Sequence, residues 1–239
     1  MPEEEAILDR MQSLIDHWQE TGDERVVFLQ CYRLMTANVL SAVNEQAFRN
    51  PQWVSRLLHR FADYYFVALA AYEQQPQHTP AVWRVAFDAA RSAQQKSLQN
   101  LILGVNAHIN YDLVLTLVDM LQEDWHRLDA AERAGRYHDH CHVNDVIGLT
   151  IDTVQDQVIE PSSPPMAILD AALGPLDEWL TSSLISHWRE EVWQNALRYL
   201  AATRSAEQET LRRQIEAMTL KRAKAIQLSG GLLDLRLLI

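Results

Sequence analysis

Apolar positions recur at helical spacing along most of this chain. Within residues 4–20 they repeat every three to four residues, as in an amphipathic helix that buries one face. The same spacing marks residues 24–43, 51–72 and 80–90, with Pro51 close to a predicted helix start. The apolar stripes contain Ile7, Met11, Leu14, Ile15, Trp18, Val27, Cys31, Leu34, Met35, Leu57, Leu58, Phe61, Tyr65, Ala68, Tyr72, Trp83, Phe87 and Ala90. The pattern predicts an all-α, multi-helix bundle.

The fifth predicted helix, residues 98–128, differs because apolar residues occur all round its circumference, which is typical of a buried helix. Four polar residues interrupt it: Asn106, His108, Asn110 and Asp112. Burying such groups costs several kcal/mol unless each finds a partner. The four also alternate with apolar residues at period two, as in a strand, but no turn signal bounds the segment and both flanks are helix-forming. We therefore predict a buried central helix that carries a polar Asn/His/Asp motif.

The spacing of this motif sorts its side chains into two pairs. His108 and Asp112 are four residues apart and share one face, whereas Asn106 and Asn110 share another face roughly 160° away. An imidazole and a carboxylate at this spacing suit zinc or a similar divalent ion. The competing interpretation is that the two side chains hydrogen-bond each other and their neighbours to specify packing. The sequence leaves both open.

A second polar cluster lies at residues 137–145, where helical spacing predicts an inward and an outward stripe. The inward stripe contains His140, Val143, Asn144, Ile147, Ile151, Val154 and Val158. The outward stripe contains His138, His142, Asp145, Leu149, Asp152 and Asp156. The outward stripe is either a solvated acidic face or part of a metal cage. Asn144 on the core side and the adjoining Asp139 are the better candidates to reach the buried motif.

Two interruptions divide the second half of the chain. Residues 134–136 predict a break before a sixth helix over residues 138–158, and residues 160–165, rich in proline and serine, form the clearest linker. We expect residues 1–160 to form a helical core domain and residues 166–239 a C-terminal helical segment packed on the same core. Two long helices are expected near residues 177–202 and 206–228.

The composition of the chain excludes some classes of binding partner. The chain has 239 residues and a formal net charge of -11, so nucleic-acid phosphates would be repelled. Cys31 and Cys141 are too few and too far apart for a disulfide framework or a cysteine zinc knuckle. The acidic N-terminus does not resemble a signal peptide, and no apolar run reaches the roughly 20 residues of a membrane span. We expect a cytoplasmic protein without a membrane span, with homo-oligomerisation through the leucine-rich tail after Gly231 left open.

The central motif carries a family resemblance. Asn106-Ala107-His108-Ile109-Asn110, followed by Asp112-Leu113, is similar to the signature of the bacterial family catalogued as domain of unknown function 5995. Asp139 with Val143-Asn144 resembles that family's second motif, although His140 stands where an aromatic residue is usual. The similarity covers roughly residues 25–155. It implies an all-helical fold and a shared polar centre, and it implies no reaction, because the family has no assigned activity. The positions that it favours are Asn106, His108, Asn110, Asp112, Asp139 and Asn144.

The first functional hypothesis is a metal-assisted hydrolase with a small-molecule substrate. Its metal ligands are His108, Asp112 and Asp139, which would bind one divalent ion and so lower the pKa of a bound water. Its catalytic residues are Asn106, Asn110 and Asn144, which would orient the substrate or stabilise developing negative charge.

The second hypothesis is a helical protein without catalysis. Its buried polar network would fix the packing or hold a small apolar ligand, and its acidic surface and leucine-rich tail would serve oligomerisation or partner binding. Tryptophans such as Trp188 and Trp193 more often belong to a core or an interface, but together with Arg189 they are candidates to cover a pocket.

Overall fold

The computed structural model describes residues 2–92, 97–148 and 183–228, and within these ranges the chain is helical and contains no strand. The helices are α1 (Pro2–Thr21), α2 (Arg25–Asn44), α3 (Pro51–Gln74), α4 (Ala81–Arg91), α5 (Ser97–Ala107), α6 (Leu113–Gln122), α7 (Ala130–Gly148), α8 (Ser183–Ala201) and α9 (Ser205–Leu228). A short 3₁₀ turn, Pro76–His78, precedes α4, and a π-helical turn, His108–Asp112, joins α5 to α6. The prediction of an all-α, multi-helix fold is confirmed.

The rod formed by α5, the π-helical turn and α6 lies at the centre of the bundle. Every residue from 99 to 118 is buried. Helices α2, α3, α4, α8 and α9 all contact this rod. Because its apolar side chains point in every direction, only neighbours on all sides can remove them from water. The predicted buried central helix is therefore present, although it ends at Gln122 and not near residue 128.

Helix α3 starts at Pro51, where the sequence predicts a helix start. The Asn50 side chain accepts a hydrogen bond from the Trp53 N–H at 2.9 Å, and proline occupies the first helical position. From this start, α3 directs Phe61 and Tyr65 towards the rod, where both rings contact His108. The local capping signals thus place two aromatic side chains against the polar motif.

Helix α7 begins at Ala130, eight residues before the predicted position 138, and Gly135 lies inside it. The predicted break at residues 134–136 is therefore wrong. A capping box explains the early start, because Asp129 Oδ1 accepts the Glu132 N–H and Glu132 Oε2 accepts the Asp129 N–H, each at 2.8 Å. A single glycine inside a helix costs only about 1 kcal/mol relative to alanine, so it does not end α7.

Helices α8 and α9 pack on the same core as the N-terminal helices. Helix α8 contacts α6 and the π-helical turn, and α9 contacts α4, α5 and the same turn. Trp188, Val192 and Ile226 are buried in this core. The predicted linker at residues 160–165, and with it the proposed boundary between the two segments, lies outside the described residues.

Two helices are long and apolar enough to cross a membrane by length and composition alone, Arg25–Asn44 and Gln99–Gln122. All of the apolar window in the second helix and half of that in the first are buried inside the protein. The core helix of a globular protein passes the same test, so this is weak evidence. The expectation of a protein without a membrane span stays a prediction.

Candidate functional site

The polar motif lies in a π-helical turn. In His108–Asp112 the helix widens, and the Leu113 N–H bonds to the His108 carbonyl five residues earlier. All five residues of the turn are buried. Such turns place one extra residue into an α-helix and occur frequently at functional sites. The sequence predicts a helix here, but it does not predict the local widening.

His108 and Asp112 form a buried hydrogen-bonded pair. His108 Nδ1 lies 2.9 Å from Asp112 Oδ2, and the two side chains are 4% and 2% exposed. Trp83 of α4 donates its Nε1–H to the same carboxylate oxygen at 2.8 Å. The Thr116 hydroxyl donates to the Asp112 backbone carbonyl at 2.8 Å. The pair shares one face, as the spacing predicts, and it leaves His108 Nε2 buried without a hydrogen-bond partner among the described residues.

Aromatic rings surround the His108 imidazole. Phe61 stacks on it, with ring centroids 3.5 Å apart and planes within 7° of each other. Tyr32 meets it edge-on at 4.3 Å, and Phe28 does so at 5.9 Å. Phe28 can approach because Gly104 has no side chain, and a Cβ there would lie 2.5 Å from Phe28 Cδ2. These rings hold the imidazole in one orientation and exclude water from it.

Burial decides the charge of the His108–Asp112 pair. Loss of water lowers the pKa of His108 well below its ordinary value. Loss of water also raises the pKa of Asp112 well above its ordinary value, against the smaller opposing effect of the Trp83 hydrogen bond. Both shifts disfavour the charged forms of the two side chains. In the neutral pair the Asp112 carboxyl group donates its proton to Nδ1, so the ring hydrogen is on Nε2, which is a hydrogen-bond donor.

Asn106 and Asn110 form a second pair on the side of the rod that faces α9. Asn110 Nδ2 donates to Asn106 Oδ1 at 3.0 Å, and Asn106 Nδ2 donates to the Thr219 carbonyl at 3.0 Å. The Thr219 hydroxyl donates to the Asn110 carbonyl at 3.2 Å. These bonds join α9 to the polar motif, so the second pair has a structural role that the spacing alone does not reveal.

Asp139 is fully buried but does not join the His108–Asp112 pair. Its Oδ1 accepts the Arg49 N–H and its Oδ2 accepts the Asn50 N–H, both at 2.8 Å. The carboxylate therefore anchors α7 to the start of α3. No group of three His, Cys, Asp or Glu side chains among the described residues could hold a metal ion. The structure thus does not bring the three predicted metal ligands together.

The other polar residues of α7 point in different directions. His140 is buried, and its Nε2 lies 3.0 Å from the Arg189 carbonyl. His142 is partly exposed and pairs with the exposed Asp145. Asn144 Oδ1 is buried and has no partner, and within the described part of the chain no hydrogen bond joins Asn144 to the central motif. Helical spacing thus places the histidines correctly, whereas the predicted contact of Asn144 with the motif is not observed.

An apolar cavity of about 100 Å³ adjoins the motif, and we call it the inner cavity. Helices α2, α3, α7 and α8 and the middle of the rod, which carries His108, form its wall. The apolar side chains of this wall include Met35, Val39, Leu57, Ile109, Ile147 and Ile185. His108, whose Nε2 is unpartnered, also lines the cavity. The arrangement can therefore hold an apolar molecule next to the His108 side chain.

Arg189 of α8 lines the same cavity and is only 4% exposed. Its Nη2 donates to the His140 carbonyl at 2.7 Å, its Nε has no partner, and no carboxylate of the described residues pairs with it. Burial lowers the pKa of Arg189 to about 10, so the guanidinium stays charged at neutral pH. The sequence suggests Arg189 only as a pocket cover. A stronger sequence signal that Arg189 is buried is its position in the apolar stripe between Ile185 and Val192.

A comparison with protein families identifies the family to which the chain belongs. The model of a family described as a family of unknown function, DUF5995, matches residues 5–228. This match extends beyond the resemblance over roughly residues 25–155 that the motifs indicate, and it includes α8 and α9. No curated protein and no solved structure matches the chain. Because the match covers nearly the whole sequence, the chain belongs to the DUF5995 family.

Proposed function

We propose that this protein binds a small amphipathic carboxylate, with the apolar part of the ligand in the inner cavity and its acid group on Arg189. The observation that carries the proposal is the buried guanidinium, which no described carboxylate neutralises. An isolated buried ion costs several kcal/mol, so buried charges are normally paired. A ligand carboxylate would supply the missing partner and could bond to Arg189 Nε.

The size and chemistry of the inner cavity favour a ligand with a short apolar chain. An engineered apolar cavity of about 150 Å³ binds benzene, and the inner cavity measures about 100 Å³. Each methylene group that leaves water for such a cavity contributes about 0.8 kcal/mol. Short aliphatic acids with a few methylene groups fit these limits. His108 Nε2 would bond to a polar atom of the same ligand.

Calorimetric titration with hexanoate and with hexan-1-ol tests the proposal. The two probes have the same chain, so they differ mainly in the charge that Arg189 would neutralise. We expect hexanoate to bind the wild-type protein at least tenfold more tightly than hexan-1-ol, because charge-assisted hydrogen bonds are about twice as strong as neutral ones. Arg189→Met should abolish this preference and retain the affinity for hexan-1-ol.

Arg213→Met is the matched control, since this arginine lies on α9 with a side chain that is 75% exposed. It should leave the affinity for both probes unchanged. Circular dichroism and urea unfolding would establish that Arg189→Met is folded, which we expect because an apolar side chain replaces an unpaired buried charge. Equal affinity of the wild-type protein for the two probes, or a preference for hexanoate that persists in Arg189→Met, would contradict the proposal.

A catalytic role is the second candidate, and the His108–Asp112 pair in its π-helical turn supports it. A carboxylate that orients an imidazole is the arrangement used in general acid–base catalysis, with the outer nitrogen moving the proton. Hydrolysis assisted by a metal has less support, because both Asp139 oxygens accept backbone N–H groups. Elemental analysis checks it: one equivalent of metal in the wild-type protein, lost in a folded His108→Ala variant, would favour the hydrolase.

A further inference from the structure

A second cavity lies on the other side of the polar motif, and we call it the outer cavity. It measures about 480 Å³, which falls within the roughly 300–1,000 Å³ of ordinary small-molecule sites. Residues of α8 and α9 form most of its wall, and Asn110 of the π-helical turn also lines it. The outer cavity shares no lining residue with the inner cavity, so it is a separate candidate site.

Asn110, which lines the outer cavity, has an unused hydrogen-bond acceptor. The Thr219 carbonyl can only accept, so the Asn106 group bonded to it must be the amide NH₂. The Asn106 oxygen then faces Asn110 and must accept from the Asn110 NH₂. This chain of bonds fixes the orientation of both amides and leaves Asn110 Oδ1 without a partner. The residue is 4% exposed, so this oxygen is a buried acceptor that lacks a donor.

The charged residues of the outer cavity favour an anion. Its lining contains three basic residues, Arg198, Lys221 and Arg222, and one acidic residue, Glu191. Arg222 pairs with Glu191, whereas Arg198 and Lys221 are exposed along the wall. This positive excess contrasts with the formal net charge of -11 of the whole chain. The local field therefore attracts small anions that most of the surface repels.

We propose that the outer cavity binds a small organic anion that also carries a hydroxyl or N–H donor. The donor bonds to Asn110 Oδ1, and the acid group lies near Arg198 and Lys221. Apolar atoms of the wall, including those of Ile215 and Met218, contact the body of the ligand. A buried acceptor without a donor disfavours ligands that cannot supply one, so the site discriminates by hydrogen bonding as well as by charge.

Titration of the full chain with 4-hydroxyphenylacetate and phenylacetate, followed by two-dimensional NMR, tests this proposal. The two probes differ only in the hydroxyl group that Asn110 would accept. We expect 4-hydroxyphenylacetate to bind about tenfold more tightly, with the largest shifts in α8, α9 and the π-helical turn. Asn110→Ala should remove the difference between the probes, and the double variant Arg198→Gln/Lys221→Gln should weaken both several-fold.

The double variant changes only exposed side chains, so it keeps the experiment decisive if Asn110→Ala fails to fold. Hexanoate serves as a competitor: it should displace 4-hydroxyphenylacetate no better than phenylacetate does, because both lack the donor. Equal affinity for the two probes, or an absence of binding, would overturn the proposal. Binding that survives all of these substitutions and is lost only in Arg189→Met would place the probe in the inner cavity and would also overturn it.

Discussion

Two histidine–aspartate pairs in this protein have the same Nδ1–Oδ2 distance, 2.9 Å, and opposite surroundings. The side chains of His108 and Asp112 are 4% and 2% exposed, whereas those of His142 and Asp145 are 30% and 75% exposed. Water solvates the exposed pair, and such pairs contribute about 0–1 kcal/mol to stability. The buried pair must satisfy its polar atoms internally. An equal distance therefore does not imply an equal role.

The positions of the two pairs explain the difference. The His108–Asp112 pair belongs to a rod that helices surround on every side. Trp83 bonds to the pair, and the rings of Phe28, Tyr32 and Phe61, the aromatic shell, surround its imidazole. The His142–Asp145 pair lies on the outward stripe of α7, with Phe48 as its aromatic neighbour. Burial changes protonation and water access at the first pair, which makes that pair the better candidate for a functional site.

The largest expected difference in stability between the two pairs follows from removal of the aspartate side chain of each pair. Asp112→Ala leaves both the Trp83 N–H and His108 Nδ1 without their shared hydrogen-bond partner in the core, so we expect a loss of about 3–5 kcal/mol in the free energy of unfolding. Asp145→Ala should change it by less than about 0.5 kcal/mol. Urea unfolding of both variants measures this difference. Similar losses would show that burial does not distinguish the pairs.

Asp139 is an intermediate case, because it is buried while the neighbouring His138 is half exposed. Asp139→Asn replaces one acceptor oxygen by an amide NH₂ that would face a backbone N–H of Arg49 or Asn50. We expect a loss of about 2 kcal/mol in the free energy of unfolding, since a buried donor is left without an acceptor.

His138→Ala is the control for Asp139 and should change the free energy of unfolding by less than about 0.5 kcal/mol. Urea unfolding, combined with amide hydrogen exchange at the start of α3, measures both effects. If Asp139→Asn leaves that exchange unchanged, the carboxylate does not anchor α7 to α3.

The aromatic shell of the buried pair can be tested through Gly104. Gly104→Ala places a Cβ against the Phe28 ring, so we expect a loss of about 1–2 kcal/mol and a displaced ring beside His108. Gly135→Ala is the matched control: no atom lies within 4 Å of the new Cβ, and alanine is the better helix former by about 1 kcal/mol. The temperature of thermal unfolding should therefore be lower in Gly104→Ala and higher in Gly135→Ala than in the wild-type protein.

A pH dependence of stability also separates the two pairs. Unfolded Asp and His have pKa values of about 3.9 and 6.5. Between these values the folded and unfolded His108–Asp112 pairs each hold one proton, so stability is constant. Above about pH 6.5 the unfolded pair has lost both protons, so stability falls with rising pH as long as Asp112 keeps its proton in the folded protein. Below about pH 3.9 it falls with falling pH.

Asp112→Asn should change this profile, because it leaves only His108 with its lowered pKa. Stability should then be constant above about pH 6.5 and should fall with falling pH below that value. Asp145→Asn is the matched control, since it changes the exposed pair and leaves the buried one intact. Urea unfolding at several pH values between 5 and 9 compares the three proteins. An alkaline slope that persists unchanged in Asp112→Asn would show that Asp112 is not the titrating group.

Features that depend on neighbours along the chain were accessible from the sequence. Apolar residues all round the helix predict the buried rod, and the four-residue spacing predicts that His108 faces Asp112 and that Asn106 faces Asn110. The start of α7 was equally local, since the Asp129 and Glu132 capping box lies in the sequence. The predicted break relies on Gly135 and does not use that signal. The capping box shows which signal should have prevailed.

Contacts between distant parts of the chain were not accessible in this way. Asp139 bonds to the backbone of residues 49 and 50, and Arg189 bonds to the backbone of residue 140. Asn106 reaches the backbone of Thr219. Carboxylate, guanidinium and amide groups can each bind a ligand or the protein backbone, and a carboxylate can also bind a metal. Which of these they bind depends on the groups that the fold places beside them. This is why Asp139 was predicted as a metal ligand although its oxygens hold a helix start.

The sequence by itself determined the helices, the burial of the rod and the pairing within the motif, because these follow from periodicity and side-chain polarity over a few residues. Tertiary structure alone decided the partners of Asp139 and Arg189, the widened turn at His108–Asp112 and the two cavities beside it. The physical reason is that cavities and unpaired charges are properties of the space between helices. The packing of residues far apart in the chain determines that space.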